Sequence, residues 1–326
     1  MAIAELHEDI IKTHILTRLD GQTLAAAAST SSRLQSLCSD PKLWSDICSS
    51  NWPSTDDVLV AEAISNFPSG HRSFFSDAFP SPAHRLTTAA TTASIPTSRI
   101  ICAVDLRYGN DLVFSKVEST NTTPSDWFRS SPFRVDLLEP KEIVPSSVKI
   151  TGDGDDHVIL SSLQDHVTLS WIMIDPTRNR AVDLSSVRPV SVQRNWLTGD
   201  IELTFAVVVS SEETFDHVSC NILVTCGVKE GGELHVSGVS LTVLDVDGKC
   251  LSGKDSMVIL QGLAVAPRRG RKHGHGGGEE RERYEEYVQR RRERNEITER
   301  RERRLDMACV ASGVGFFVAF WSFALF

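Results

Sequence analysis

Apolar residues follow three different rhythms along the chain. In residues 1–52 they recur at helical spacing: Ile11, Ile15 and Leu19 fall four apart, and Ile10 and Leu16 widen the stripe into one amphipathic helix. Asp20-Gly21 breaks it, and Leu24 with Ala25 to Ala28 supplies a short second helix. Leu34 and Leu37 mark a third, behind a Ser/Thr cluster suited to an N-cap. Asp40-Pro41 predicts the start of a fourth, a capping carboxylate followed by proline at the first helical position. Leu43, Trp44, Ile47 and Cys48 form its apolar face. Four helices this short cannot bury all that surface among themselves, so a leftover apolar face predicts a partner, with packing on the rest of the same chain as the alternative that periodicity leaves open. Residues 53–94 read as a helical and loop connector, where Phe74, Phe75 and Phe79 are expected to pack the module onto the next domain.

Over residues 95–265 the rhythm changes to two. "IELTFAVVV" places Ile201, Leu203, Phe205, Val207 and Val209 on one face. "VTLSWIMIDPTRNRAVDL" reads as strand, turn and strand, with Asp175-Pro176 in the turn. "CNILVTCGV" and "ELHVSGVSLTVLDVDGKCL" add further strands, the latter ending at the tight-turn pair Asp247-Gly248. Short strands with turn punctuation predict an antiparallel, β-sandwich-like domain.

The third rhythm is no rhythm. Met307 to Phe326 contains no Asp, Glu, Lys or Arg, and includes Phe316, Phe317, Phe320 and Trp321. As a helix this run is about 30 Å long, the hydrocarbon thickness of a bilayer. A core helix usually keeps a polar stripe, whereas this one is apolar all round, so a transmembrane anchor is expected. The fold class is thus α+β and multidomain, with an all-α N-terminal module, a middle β-sandwich-like domain and a C-terminal charged helix running into a single transmembrane helix.

Charge sharpens the picture. Residues 268–306 hold 14 Lys+Arg against 10 Asp+Glu, a net of +4, which leaves −13 for the remainder of a chain whose total is −9. An acidic body argues against nucleic-acid binding, and a basic stalk suits an anionic membrane face. Arg300, Arg301, Arg303 and Arg304 precede the apolar run, so the positive-inside rule predicts a cytosolic body and a tail-anchored, single-pass topology. The opening "MAIAELHEDIIKTH" has neither a basic start nor a long apolar run, and no secretory signal is expected there. Seven scattered cysteines with no CxxC pair predict reduced thiols rather than a disulfide framework.

Residues 266–278 read as a flexible Gly/Arg/His linker, in which His273 and His275 are metal-ligand types but belong to a solvated tether. Residues 279–306 read as a solvated charged helix held by i,i+4 pairs such as Glu286–Arg290, Glu296–Arg300 and Glu299–Arg303. Cys309 at the membrane edge is a weak palmitoylation candidate. Ala311, Gly315 and Ala319 have the spacing that permits weak self-association of membrane helices. Asn121-Thr122-Thr123 is a sequon that a cytosolic body leaves unmodified.

The N-terminal pattern resembles the F-box. Leu6, Glu8-Asp9, Ile10, Ile15-Leu16, Leu19, Leu24, Leu34, Leu37 and Leu43-Trp44 follow its order and spacing, although the usual Leu-Pro opening is here Leu6-His7. "FPSGHRSFFSDAFP", together with the tail, is similar to a group of plant F-box proteins with a C-terminal hydrophobic segment. The resemblance implies a non-catalytic substrate receptor of an SCF-type ubiquitin ligase. It docks through Leu6, Ile10, Ile15, Leu16, Leu19, Leu24, Leu34, Leu37, Leu43 and Trp44 onto the Skp adaptor, and through that onto a cullin and a RING subunit.

The β-domain is then where a protein substrate is expected, and its chemistry is sparsely marked. Asp153, Asp155 and Asp156 in "TGDGDDH" are possible Ca²⁺ ligands without an EF-hand's spacing, and the segment reads as a turn. Trp127, Trp171 and Trp196 raise the alternative of a lectin-like glycan platform; Trp171 reads as core, and Trp196 is the better binding candidate. No nucleotide, zinc-hydrolase or nucleophile-elbow motif is present, so neither a catalytic centre nor a cofactor or metal is expected.

Overall fold

A computed structural model of the chain describes residues 7–82, 84–86, 97–123, 125–150, 156–211, 217–229, 231–268 and 276–325. The helical module opens with a composite helix, α1: an α-turn over Glu8–Ile10, a π-turn over Ile11–Ile15 and a 3₁₀ turn over Leu16–Arg18. The π-turn changes which residues face inward. Ile11 and Leu16, five apart, are buried and joined by the Leu16 N–H to Ile11 carbonyl bond, whereas Ile15 and Leu19 are only half-buried. The expected four-residue stripe is therefore not the core face.

Three capped helices follow. In α2 (Gly21–Ala28) the Asp20 carboxylate accepts from Thr23 N at 2.7 Å, and in α3 (Ser32–Leu37) the Ser31 hydroxyl accepts from Leu34 N at 3.2 Å. Asp40 caps α4 (Pro41–Asn51) by accepting from Lys42 N at 3.0 Å. Gly21 begins α2 rather than merely ending α1. A Cβ there would stand 2.2 Å from the Phe75 ring, so glycine is what lets α2 meet α6 (His71–Ala78). Between them lie a 3₁₀ turn (Pro53–Asp56) and α5 (Val58–Ser65).

The middle of the chain forms two sheets. Antiparallel strands β3-β2-β6-β7 make the smaller one, from β2 (Arg99–Tyr108), β3 (Asp111–Asn121), β6 (Val167–Asp175) and β7 (Arg180–Asp183). The larger, seven-stranded sheet centres on β9 (Ile201–Ser211), β10 (Val218–Val228) and β11 (Glu233–Leu244). Its edges are β1 (Arg85–Leu86), β4 (Arg134–Asp136), β5 (Val144–Lys149) and β8 (Ser191–Arg194). The inward residues of β9 are the five read from the sequence, and they share one core with Trp171, Met173, Val104 and Leu106 of the smaller sheet. The α+β class and the antiparallel sandwich expected from the sequence are what the chain adopts.

The smaller sheet is covered on both faces. Ile100, Cys102 and Val104 of β2 point into the sandwich, whereas Ile101 and Ala103, with Ile172 and Ile174 of β6, join the core of the helical module. That double cover explains why β2 and β6 read as near-continuous apolar runs.

Three helices inside the β-region have no counterpart in the sequence pattern: α7 (Asp126–Ser130), α8 (Asp156–His166) and α9 (Gly253–Val265). Beyond its Lys254-Asp255 start the last is mostly apolar and mostly buried, and its buried polar side chains are bonded, as where the Gln261 amide donates to Asp175 at 3.4 Å. Beyond it, Arg268 is not part of a free linker. Its guanidinium donates to the carbonyls of Leu263, Ala264 and Ala181, and burial pulls its pKa down to about 10. The chain then forms one fifty-residue helix, α10 (Gly276–Leu325). His273 and His275 lie outside the described residues, as do Asp153 and Asp155.

Candidate functional site

The helical module has an inside and an outside. Leu16, Leu24, Leu37, Leu43 and Trp44 are buried within it, Trp44 donating its indole N–H to the Cys38 carbonyl at 2.7 Å. Ile10 is 45% exposed, and Ile15, Leu19 and Leu34 are half-buried, so these four carry the apolar surface left over. Leu6 lies outside the described residues. Of the ten residues that fit one motif, five are thus buried in the module and four keep part of their apolar surface exposed.

The opposite side of the module is sealed to the sandwich. Trp52 packs on Phe74 and Phe75, with ring centroids 5.8 and 5.6 Å apart, and donates its indole N–H to the Ser170 hydroxyl of β6 at 3.1 Å. Phe75 also meets Trp44 at 5.4 Å and stacks on Phe79 at 4.8 Å. Arg72 lies 6.0 Å over the Trp44 ring and donates to the Ser39 hydroxyl.

Two carboxylates that the sequence did not mark reinforce this seam. Asp77 of α6 accepts from Arg180 at 2.7 and 3.1 Å and from Ala181 N at 3.2 Å. Asp105 of β2 is buried and accepts from Ser54 N at 3.0 Å, from the Ser54 hydroxyl at 2.5 Å and from the Ser115 hydroxyl at 2.7 Å. Burial pushes its pKa up, with the Ser54 and Ser115 bonds acting against that shift. Neither could be singled out beforehand, because each is one acidic residue in an ordinary strand or helix. Its partner lies tens of residues away.

The three tryptophans of the β-region do not come together. Trp171 is fully buried in the sandwich. Trp127 is 80% exposed on α7, close to the start of α9, while Trp196 is 91% exposed on the β8–β9 hairpin beside an exposed Leu197. Asn195 fixes that hairpin: its carboxamide oxygen accepts from Leu197 N at 2.9 Å, and Gly199 supplies a positive φ of 78°. Asp156 pairs with Arg194 at 2.7 Å, and among the described residues no group of His, Cys, Asp or Glu could hold a metal ion. All seven cysteines are free. Burial pushes the thiols of Cys102, Cys220 and Cys226 up to about 12, which leaves them inert at neutral pH.

α10 has two parts. Its first turns lie on β9, where Tyr287 is buried and donates its hydroxyl to the Asp245 carbonyl at 2.5 Å. Arg290 bonds the His217 ring, and Arg291 occupies space that a Cβ on Gly248 would fill, its Cζ lying 2.2 Å from that position. The expected solvated helix is thus docked over its first part. The pairs Glu286–Arg290, Glu296–Arg300 and Glu299–Arg303 form as read, at 2.7, 3.0 and 3.4 Å. Residues 307–325, including Met307, Phe316, Phe317, Phe320 and Trp321, are exposed throughout and long and apolar enough to cross a membrane. Phe326 lies outside the described residues.

The capped helices α1–α4 stand ahead of the sandwich they pack against, and it is on them that a family comparison falls. An F-box-like family model matches residues 10–50. The chain belongs to the F-box protein family. It is 45% identical over 338 residues to F-box protein At2g27310 of Arabidopsis thaliana, covering 99% of this chain and 96% of that one. F-box protein At3g44326 of the same plant is 41% identical, with 98% and 91% covered, and probable F-box protein At2g36090 is 41% identical, with 99% and 93% covered. No solved structure matches.

Proposed function

We propose that this chain is the substrate-receptor subunit of an SCF-type ubiquitin ligase, held at a membrane by residues 307–325 and taking its target through the β-sandwich. F-box proteins in general serve as such receptors by binding a Skp adaptor. The finer reading rests on one observation: among the described residues Ile10 is exposed and Ile15, Leu19 and Leu34 are partly so, while the module's other face is filled by the sheet. Ile10, Ile15, Leu19 and Leu34 are the adaptor contacts in this reading, and the buried five act by shaping the module. Catalysis stays with the RING-bound enzyme, since the receptor's contribution is to convert an encounter into a held pair. The Trp196–Leu197 hairpin is the docking point proposed for a protein target, because a large apolar pair held open on a fixed turn is what a partner's pocket takes up.

Co-purification of the full chain with the Skp adaptor in detergent tests the first part. Ile10→Asp is expected to weaken the complex severalfold with the melting temperature of the receptor unchanged. Undiminished binding by that variant, or no complex with the wild-type chain, would overturn the assignment. The exposed sequon at Asn121 reads the topology: a body on the cytosolic side leaves it without glycan.

A further inference from the structure

The docked and exposed parts of α10 belong to one uninterrupted helix, which gives the membrane tether a property that a flexible linker lacks. Buried Tyr287, the Arg290–His217 contact and Arg291 over Gly248 fix the helix against β9 and the turn after β11. Residues 292–306 are exposed on nearly every side, contain no Gly or Pro, and carry i,i+4 Glu–Arg pairs that stiffen an isolated helix. These fifteen residues measure about 22 Å at 1.5 Å per residue. Building on the membrane-receptor reading, we propose that α10 is a rigid strut. It makes the sandwich and the anchor one body and holds the sandwich about 22 Å off the bilayer, with Tyr287, Arg290 and Arg291 as its positioning residues.

The strut also decides which way the receptor faces. The helix leaves the sandwich beside His217 and Gly248, near where Val209 pairs with Val218. The Trp196 hairpin adjoins Ile201, at the other end of β9. Eight residues of strand separate the two ends, on the order of 27 Å.

Neutron reflectometry of the full chain in a supported bilayer tests the strut. The expected profile is a body separated from the headgroups by a solvent-rich gap of about 22 Å. Deleting residues 295–301 removes about 10 Å of helix and turns the body by only about 20°. The gap is expected to shrink by that same length. Gly248→Ala, which displaces the Arg291 side chain, combined with Tyr287→Ala, is expected to broaden the body's height distribution while bilayer binding and adaptor binding persist. A wild-type body lying directly on the headgroups, or a profile indifferent to the deletion, overturns the strut and leaves the anchor standing. A chain that does not enter the bilayer at all overturns the anchor reading beneath it.

Discussion

Helix α9 and the last nineteen described residues of α10 have the same sequence character and opposite fates. Both are apolar over most of their circumference, yet α9 is largely buried beyond its first turn and residues 307–325 are exposed everywhere. An apolar circumference therefore does not by itself decide whether the rest of the protein covers a helix. Length and flanks discriminate. α9 has thirteen residues, about 20 Å, begins at a Ser252 cap and keeps Ser256 and Gln261 bonded inside. The tail spans a bilayer's thickness and comes directly after a row of arginines.

The sharpest way to break this comparison is to put a charge in each helix. Leu260→Asp in α9 is expected to cost more than about 4 kcal/mol and prevent folding, because the carboxylate is buried without a partner. The matching Phe317→Asp is expected to leave the melting of the body unchanged and reduce recovery with floated vesicles severalfold. A smaller effect is expected at the seam: Trp52→Ala removes a buried ring and a hydrogen bond to Ser170, for a loss of about 3–5 kcal/mol in chemical denaturation. Asp77→Ala, which leaves Arg180 without its carboxylate, is expected to cost about 1–3 kcal/mol.

The smallest effect is expected from Asp105→Asn, and it is read against pH. The pKa of Asp105 is raised by burial, so the folded chain holds its proton more tightly than the unfolded one. The stability this adds is complete below the ordinary carboxylate range and is lost as pH rises through the raised value. The wild type should therefore lose stability with rising pH across that window more steeply than the Asn variant. Parallel curves would mean that the Ser54 and Ser115 bonds cancel the burial.

Wherever periodicity meets a cap or a turn, the structure is legible in the sequence: Asp40-Pro41 opens α4, the β9 face is as read, and Asp175-Pro176 turns between β6 and β7. α9 escapes such reading because "MVILQGLAV" has no polar stripe to betray a helix. The π-turn in α1 escapes it because its five-residue register mimics a widened α-stripe. The apolar tail helix and the N-terminal module can be read because each is local in sequence. Trp52 to Ser170, Asp77 to Arg180 and Tyr287 to Asp245 join segments that nothing in the linear pattern links, so the seam and the helix dock emerge only in three dimensions.

The double cover of the four-stranded sheet also limits how such a receptor can change its target. A β-domain hung on a free linker could be exchanged whole for another recognition domain. Here Ile101, Ala103, Ile172 and Ile174 complete the core of the adaptor-binding module itself, so an exchanged domain would have to reproduce that face residue by residue. On the proposed reading, variation in target choice would fall to exposed turns such as the Trp196–Leu197 hairpin, whose two apolar side chains belong to neither core.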